Sequence, residues 1–414
     1  MAVRQLPVNG DVMKHIISSA QTCLDCKDPL CEKGCPVNTA IAHMIRLFLG
    51  GDIREAGEML FDNNPLSIIC SLVCPHEKHC EGHCVLNKKG TPVNIGGIEN
   101  YISSYYMDHR EFVKPELNGK KLAIIGSGPA GLSLSMIMAL KGYGVTIYEA
   151  FDSIGGVLRY GIPDFRLDKC ILDMFEEKLI SVGVKIRKNC MVGKTITVDD
   201  LFRDDFDAVF IGTGVWRPKT LGIKGESLGN VHFAIDYLKT PKAYDLGKKI
   251  VVIGAGNVAM DVARTAIRTG AQEVSVMYRG GEDCIPAERI ELEHAKIDGV
   301  KLDLYKSPLE FTEIGVRYTT TNLEKNTEGF VRADSILIAI SQTARDLIVR
   351  NTAGLNLADD GLLESDADGR TTREGVFASG DVVTGARTVV EAVAFSKRVA
   401  VAIDEYIAKS ASSK

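Results

Sequence analysis

The chain holds eleven cysteines, and eight of them fall between Cys23 and Cys84. Within that stretch, "CLDCKDPLCEKGCP" spaces Cys23, Cys26, Cys31 and Cys35 as C-x2-C-x4-C-x3-C, followed directly by Pro36. A second set, "CSLVCPHEKHCEGHC", supplies Cys70, Cys74, Cys80 and Cys84. The first spacing is close to a ferredoxin-type run, in which the fourth cysteine serves the other of two clusters. Zinc is the rival occupant, because paired C-x2-C knuckles are its usual signature. The second set contains no such pair and zinc adds no redox chemistry, so iron–sulfur ligation is the expectation. If Cys35 crosses over, it joins three thiols of the second set, and Cys23, Cys26 and Cys31 lack a fourth ligand. His76, His79 and His83 interleave with the second set and read as surface residues or as support for the ligands. Cys170, Cys190 and Cys284 stand alone and read as small buried hydrophobes.

Clusters need a source of electrons, and two glycine-rich turns supply candidates. "LAIIGSGPAGL" sets Gly126, Gly128 and Gly131 as G-x-G-x-x-G, with Pro129 and Ala130 inside the turn, between an apolar strand and a helical run. The first glycine permits the tight turn, the second lets backbone approach a pyrophosphate, and the third lets helix pack on strand. The helix N-terminus then offers its free N–H groups to the phosphates. The next strand, "GVTIY", is followed by Glu149, at the spacing where a carboxylate binds a ribose 2′-hydroxyl. A second copy, "IVVIGAGNVAMDVA", provides Gly254, Gly256, Asn257 and Ala259. Its following strand, "EVSVMY", leads to Arg279 rather than to an acid. An acid there favours NAD, whereas an arginine accommodates the 2′-phosphate of NADP; NADP(H) is favoured, with NAD(H) as the alternative.

Further along, "VFASGDVVTGARTVVEAV" places Gly380-Asp381 at a strand end and Thr388 before a helical run. An aspartate there can accept hydrogen bonds from a ribityl chain, while a helix N-terminus faces an anionic flavin edge. Two nucleotide sites in one chain imply a flavin, as FAD, that meets a nicotinamide. A nicotinamide delivers two electrons together as hydride, and a flavin can release them singly. No acid–base side chain is needed, and none is expected. A redox disulfide is not expected either, because no C-x-x-C lies between residues 116 and 414.

These residues need rigid elements behind them. Residues 1–115 combine the cysteines with helical patterns such as "NTAIAHMIRLFLGG", which Asn38 could cap and Gly50-Gly51 could end. From residue 116 onward, β-branched runs alternate with helical periods: "LAIIG", "GVTIYEA", "DAVFIGTG", "KIVVIGAG", "EVSVMYRG", "SILIAI" and "GVFASGD". Strands alternating with helices indicate an α/β fold with parallel sheets covered on both faces. A length of 414 residues implies two or three domains. Apolar content of 45% and charged content of 25% are those of a soluble globular protein. The net charge of −5 and the lack of a basic tract give no reason to expect nucleic acid. No apolar run approaches membrane-spanning length, and "MAVRQLPVNGDVMKH" lacks the apolar core of a signal peptide. A cytoplasmic protein is the expectation, and a reducing cytoplasm argues against structural disulfides.

"GSGPAGL", "GGVLRYGIPDFRLDK", "IGTGVWRPK", "IGAGNVAMDVA" and "VFASGD" together resemble the FAD-dependent oxidoreductases of the glutamate synthase small-subunit family. The resemblance runs nearly end to end and includes the cysteine region. That family takes in the flavin portion of dihydropyrimidine dehydrogenase, its separate bacterial small subunit, and the large subunit of an electron-bifurcating NADH-dependent ferredoxin:NADP oxidoreductase. The resemblance implies a glutathione-reductase-type pair of Rossmann-like domains behind a helical iron–sulfur domain. Residues 1–115 would hold two [4Fe-4S] clusters, 116–246 and 344–414 would form the FAD domain, and 247–343 would bind NAD(P)H. Further FAD contacts are implied at Gly155, Gly156, Thr213 and Gly214, and a loop after the second nucleotide strand at Pro286-Ala287-Glu288. Family members that use NADPH often carry two adjacent basic residues where this chain has Arg279-Gly280.

The resemblance also completes the ligand sets. It assigns Cys35, Cys74, Cys80 and Cys84 to one cluster. Cys23, Cys26 and Cys31 go to the other, completed by the oxygen of Glu99 from "NIGGIENY", with Cys70 left unligated. Cys70 as the ligand, with Glu99 solvated, is the alternative, because thiolate is the commoner donor. The chain then reads as an electron-transfer flavoprotein subunit relaying single electrons to or from a partner that carries FMN or further iron–sulfur clusters. The sequence ends soon after the flavin motif, leaving no room for a domain that reduces pyrimidine or makes glutamate. Three partners compete: an FMN barrel subunit reducing pyrimidines, a glutamate synthase large subunit, and a transhydrogenase partner bringing NADH and ferredoxin. The alternative is a stand-alone NAD(P)H-dependent flavin oxidoreductase whose cysteine region is a zinc-bound docking module.

Overall fold

In the computed structural model, residues 10–322 and 327–412 are described. The first residues of the stretch read for a signal peptide, and the outer ends of the first and last domain ranges, lie outside them. The cysteine-rich region folds into helices at Gly10–Gln21, Ile41–Gly50, Ile53–Asn63, Ser67–Val73 and Ile95–His109, with single turns at Leu30–Lys33 and Cys80–His83. Ile41, Met44, Ile45 and Phe48 repeat at helical spacing and bury one face against Ile95, Ile98 and Ile102. Gly51 ends the Ile41–Gly50 helix in the left-handed region, as expected, but Asn38 does not cap it. Ala40 holds the cap position, and the Glu32 carboxylate accepts the Ala42 N–H at 3.0 Å. A charge-assisted bond from the cysteine loop has replaced the local cap, and it ties Cys31 and Cys35 to the helix.

Two five-stranded parallel sheets follow. The first runs, in space, Val376–Ala378, Ala208–Ile211, Lys121–Ile125, Gly144–Tyr148, Lys185–Arg187. Its inner strand Ala208–Ile211 is buried throughout, as a sheet covered on both faces requires. The C-terminal helix Val389–Ser412 packs on the helix Pro129–Leu140, so the last segment returns to the first sheet. The second sheet runs Val231–Phe233, Ser335–Ile338, Lys249–Ile253, Glu273–Met277, Lys301–Asp303. An antiparallel meander, Lys306–Thr312, Gly315–Thr320 and Glu328–Arg332, extends this unit.

One short strand falls outside the unit to which the sequence assigned it. Val231–Phe233 pairs with Ser335–Ile338 and so belongs to the second sheet, not to the 116–246 segment. The chain crosses between units where Arg217–Pro218 pairs with Gln342–Thr343, which places the second unit between those crossings. A strand of three residues is too short to show its pairing in the sequence.

The helical region is continuous with the first sheet. Phe61, Leu66, Ile69, Val73, Tyr106 and Met107 share one core with Leu122, Leu132 and Val393. No helix among the described residues is long and apolar enough to cross a membrane.

Candidate functional site

A cleft of about 1230 Å³ opens at the carboxyl ends of the first sheet, where open α/β sheets bind their ligands. Gly126, Gly128, Pro129, Ala130, Glu149, Gly156, Thr213, Gly214, Gly380, Asp381 and Thr388 all line it, from four separate stretches of chain. Gly126 has φ 96°, and a Cβ there would stand 2.6 Å from the Gly212 carbonyl oxygen. Gly131 does not face the cleft: a Cβ would lie 2.0 Å from the Gly126 oxygen, so this glycine serves helix-on-strand packing. Gly155 likewise sits behind, donating its N–H to Ser127 at 3.0 Å. Gly128 is different, with no atom nearer its Cβ position than 3.9 Å, so its open side faces the cleft.

Glu149 is 4% exposed and accepts the Ser127 N–H at 2.9 Å and the Phe151 N–H at 2.8 Å. The carboxylate therefore braces the glycine turn besides lining the cleft. Burial pushes the Asp381 carboxyl up to about 6, partly offset by the Arg387 N–H it accepts at 3.2 Å. Thr388 donates to Glu391, capping the C-terminal helix at the cleft's edge. Sequence reasoning missed Trp216, two residues beyond Thr213-Gly214 in the same motif, and Phe151, Arg345 and the Cys190–Val192 segment, which line the cleft from loops without a motif. Trp216 and Phe151 meet edge-on with ring centroids 5.2 Å apart. Cys190 is thus a lining residue, and Cys170 and Cys284 are exposed, so none of the three is the buried hydrophobe read in sequence. Cys170 opens a helix and Cys284 ends a short surface turn, which leaves both without core to pack into.

The second turn repeats the first geometry. Gly254 has φ 113°, and its Cβ position stands 2.4 Å from the Ala339 carbonyl oxygen. Gly256 has nothing within 4 Å, and Ala259 is fully buried where the first turn has Gly131. The Asn257 amide is taken up by the loop after the strand: it donates to Glu288 at 2.7 Å and accepts the Glu288 N–H at 2.8 Å. Its side chain therefore anchors the Pro286–Glu288 lip rather than pointing free. Arg279 is exposed just beyond the strand Glu273–Met277. A side chain at Gly280 would meet Tyr278 at 2.9 Å and Cys284 at 3.3 Å, so a second basic residue there would have to displace the Tyr278 ring.

Cys23, Cys26, Cys31 and Cys84 line a second cavity, of about 400 Å³, together with Leu24, Ile41, Ile45 and Ile95. Cys84 thus stands with the first cysteines, not with Cys35, Cys74 and Cys80. Glu99 lies in the electrostatic field of Cys74 and of Cys80, and Cys80 also feels Cys35. The grouping departs from the partition read in sequence on both counts: Cys84 lies with Cys23, Cys26 and Cys31, and Glu99 lies beside Cys74 and Cys80. The cause is local. The turn Cys80–His83 packs on the turn Leu30–Lys33, which carries Cys84 toward Cys31, while Asn94 caps the Ile95–His109 helix and sets Glu99 one turn in. Glu81 accepts the Gly96 N–H at 3.0 Å and locks that helix to the Cys80 turn.

The donor set fits clusters. Burial pushes the Cys31 thiol up to about 11 and raises Cys23 and Cys80. Cys74 is raised by its hydrogen bond with Cys70 and by burial. A bound metal ion supplies the charge that deprotonates such thiols. Burial pushes the half-buried Glu99 up to about 8, and the carboxyl has no hydrogen-bond or ionic partner among the described residues. Among the described residues, no three His, Cys, Asp or Glu side chains converge on one point as a single ion would need. The four outer thiols surround a space instead. His76 and His79 are partly buried, each with an unpartnered Nε2, so neither is a surface residue; His83 is exposed.

Comparison with known proteins agrees with this architecture. Residues 7–111 match the family described as dihydropyrimidine dehydrogenase domain II, 4Fe-4S cluster. Residues 181–395, just over half the chain, match pyridine nucleotide-disulphide oxidoreductase. The glutamate synthase [NADPH] small chain of Halomonas elongata is 33% identical over 94% of this chain and 90% of its own. The NAD-dependent dihydropyrimidine dehydrogenase subunit PreT of Salmonella typhimurium is 32% identical over 96% and 95%. The NADP(+)-dependent formate dehydrogenase subunit beta of Moorella thermoacetica is 34% identical over 92% of this chain and 60% of its own. In fold, the FprA His57Gln mutant from Mycobacterium tuberculosis superposes with a TM-score of 0.59 at 18% identity, over 71% of this chain and 86% of that one.

Fold and site define an FAD-dependent NAD(P)H oxidoreductase with an iron–sulfur domain. The chain belongs to the glutamate synthase small-chain-like family of FAD and 4Fe-4S oxidoreductases.

Proposed function

We propose that this chain is an electron-transfer subunit in which hydride exchanges between NAD(P)H and FAD and single electrons pass through two [4Fe-4S] clusters to or from a partner subunit. The inner cluster would sit on Cys35, Cys74, Cys80 and Glu99, the outer on Cys23, Cys26, Cys31 and Cys84. When bound, FAD takes a hydride from NAD(P)H plus a proton, and the clusters carry its electrons one at a time. One observation carries the reading: the turn between Cys74 and Cys80 is bonded to the nicotinamide unit and lies close to the edge of the FAD cleft. Glu77 accepts the Arg289 N–H at 2.8 Å beside the nicotinamide lip, and His79 lies in the field of Glu391 at the edge of the FAD cleft. Cys35 and Cys74 also pack against the core shared with the first sheet, whereas Cys23, Cys31 and Cys84 belong with the outer helical core, which Cys80 and Cys35 join as well. That order makes the outer site the exit toward a partner, and Leu24, 60% exposed beside it, offers an apolar contact.

The partner's chemistry follows the relatives only by class: a subunit that reduces or oxidises its own substrate with single electrons, as in glutamate synthase, dihydropyrimidine dehydrogenase or a bifurcating transhydrogenase. Anaerobically purified protein should contain one FAD and about eight iron and eight sulfide per chain. Zinc without sulfide would overturn the relay and leave a flavin enzyme with a docking module.

Arg279 is the candidate contact for a 2′-phosphate, which favours NADPH. Losing one charge-assisted bond costs about 1.5–3 kcal/mol, so Arg279→Ala should raise KM for NADPH at least about tenfold. KM for NADH should not move. Steady-state kinetics with both nucleotides checks this, and equal effects would remove the basis for preferring NADPH.

A further inference from the structure

The flavin-binding unit reaches onto the nicotinamide-binding unit through the loop that follows Gly155-Gly156. Its start lies against the first glycine turn: Gly155 donates to Ser127, and a Cβ on Gly156 would stand 2.8 Å from the Gly128 Cα. Its middle is pinned by Lys169, whose ammonium donates to the carbonyls of Leu158, Ile162 and Leu167 at 3.0, 2.5 and 3.0 Å. Its far end enters the second unit. Arg166 bonds Asp261 at 2.8 Å through Nη1 and Glu291 at 2.9 Å through Nε, and the three side chains are only 11, 4 and 9% exposed. The guanidinium groups of Arg264 and Arg268 each lie over the Phe165 ring, 4.5 Å from its centroid.

The two carboxylates are not arbitrary anchors. Asp261 stands one turn into the helix Asn257–Arg268, whose N-terminus follows Gly256. Glu291 stands in the helix Arg289–Ile297, directly after the Pro286–Glu288 lip held by Asn257. Arg166 therefore grips both elements that would seat the nicotinamide nucleotide, from a loop whose other end touches the flavin's glycine turn. A guanidinium suits this task because its planar fork engages two acceptors in fixed directions, which an ammonium cannot.

We propose that Arg166 is a positioning residue that sets the angle between the two nucleotide-binding units, so that a nucleotide whose pyrophosphate is seated at Gly254–Ala259 presents its nicotinamide to the flavin in register. The proposal rests on the functional reading above. Its consequence separates binding from chemistry: with the bridge gone, nucleotide still binds to its own unit, but the reacting atoms miss each other. A displacement of about 1 Å can cost on the order of 100-fold in rate.

The test uses Arg166→Met/Asp261→Asn, which removes the bridge while conserving net charge; Glu291 keeps Arg264, 3.1 Å away. Flavin reduction is followed by anaerobic stopped-flow absorbance in the whole holoprotein, with NADH and NADPH each varied to saturation. FAD content and thermal midpoint are measured in parallel. The expected result is a saturating rate lower by about 100-fold, with an unchanged half-saturating concentration and full FAD occupancy. Arg166→Lys should show the same split, since charge alone does not restore the fork. An unchanged saturating rate, or rate and affinity falling together, would overturn the positioning role. A wild-type flavin that neither nucleotide reduces would instead overturn the functional reading.

Discussion

Cys84→Ala is expected to remove the outer cluster and spare the inner one, lowering iron from about eight to about four per chain. The reason is geometric. Cys84 shares a cavity with Cys23, Cys26 and Cys31, and the turn that precedes it is packed against theirs. Glu99→Ala should have the complementary effect, altering the second set of signals, because that carboxyl lies with Cys74 and Cys80 and has no other partner among the described residues. Cys70→Ser should leave both sets in place, since Cys70 is buried in the core of its helix and bonds to Cys74. Iron and sulfide analysis with EPR of the reduced protein distinguishes the three variants. If Cys84→Ala and Glu99→Ala disturb the same signal, the partition drawn from the cavity is wrong.

Gly256→Val should weaken NAD(P)H binding at least about tenfold while leaving the fold, the FAD and the iron untouched. At Gly256 the backbone has φ −81° and ψ 177°, which any residue adopts, and no atom lies within 4 Å of the Cβ position. Nothing in the protein forbids a side chain there, so the demand for glycine must come from the ligand. A valine would stand where a pyrophosphate approaches the helix N-terminus. Displacing one charge-assisted bond costs about 1.5–3 kcal/mol, so nucleotide affinity should fall at least about tenfold, and further as more bonds are lost. Fluorescence titration with NADH and NADPH, beside FAD content and a melting curve, reads the separation. Gly131→Val provides the contrast, because its Cβ would lie 2.0 Å from the Gly126 oxygen and the first unit should fail to fold. Retained NAD(P)H affinity in folded Gly256→Val would show that the nucleotide does not approach this turn.

Much of the flavin and nicotinamide architecture was legible in the sequence, because a βαβ dinucleotide unit is written locally. The turn at Gly126 needs a positive φ, the turn at Gly254 needs the same, and both glycines meet a carbonyl from the neighbouring strand. The seven strand-like runs were legible for the same reason: strands buried on both faces are continuously apolar. Short elements were not. Val231–Phe233 is three residues long, and its membership of the second sheet exists only in its pairing with Ser335–Ile338.

What the sequence alone determined was the chemistry: thiols in two clustered sets, two dinucleotide turns, and an aspartate after a late strand. Only the tertiary structure decided which thiols share a site, that Glu99 lies with Cys80 while Cys84 faces Cys31, and that Arg166 bridges two units. The physical reason is range. A glycine turn is specified by residues a few positions apart, and its cost or benefit is local. A ligand set is specified by how two loops pack, here the turns Leu30–Lys33 and Cys80–His83, and sequence spacing carries no record of that contact.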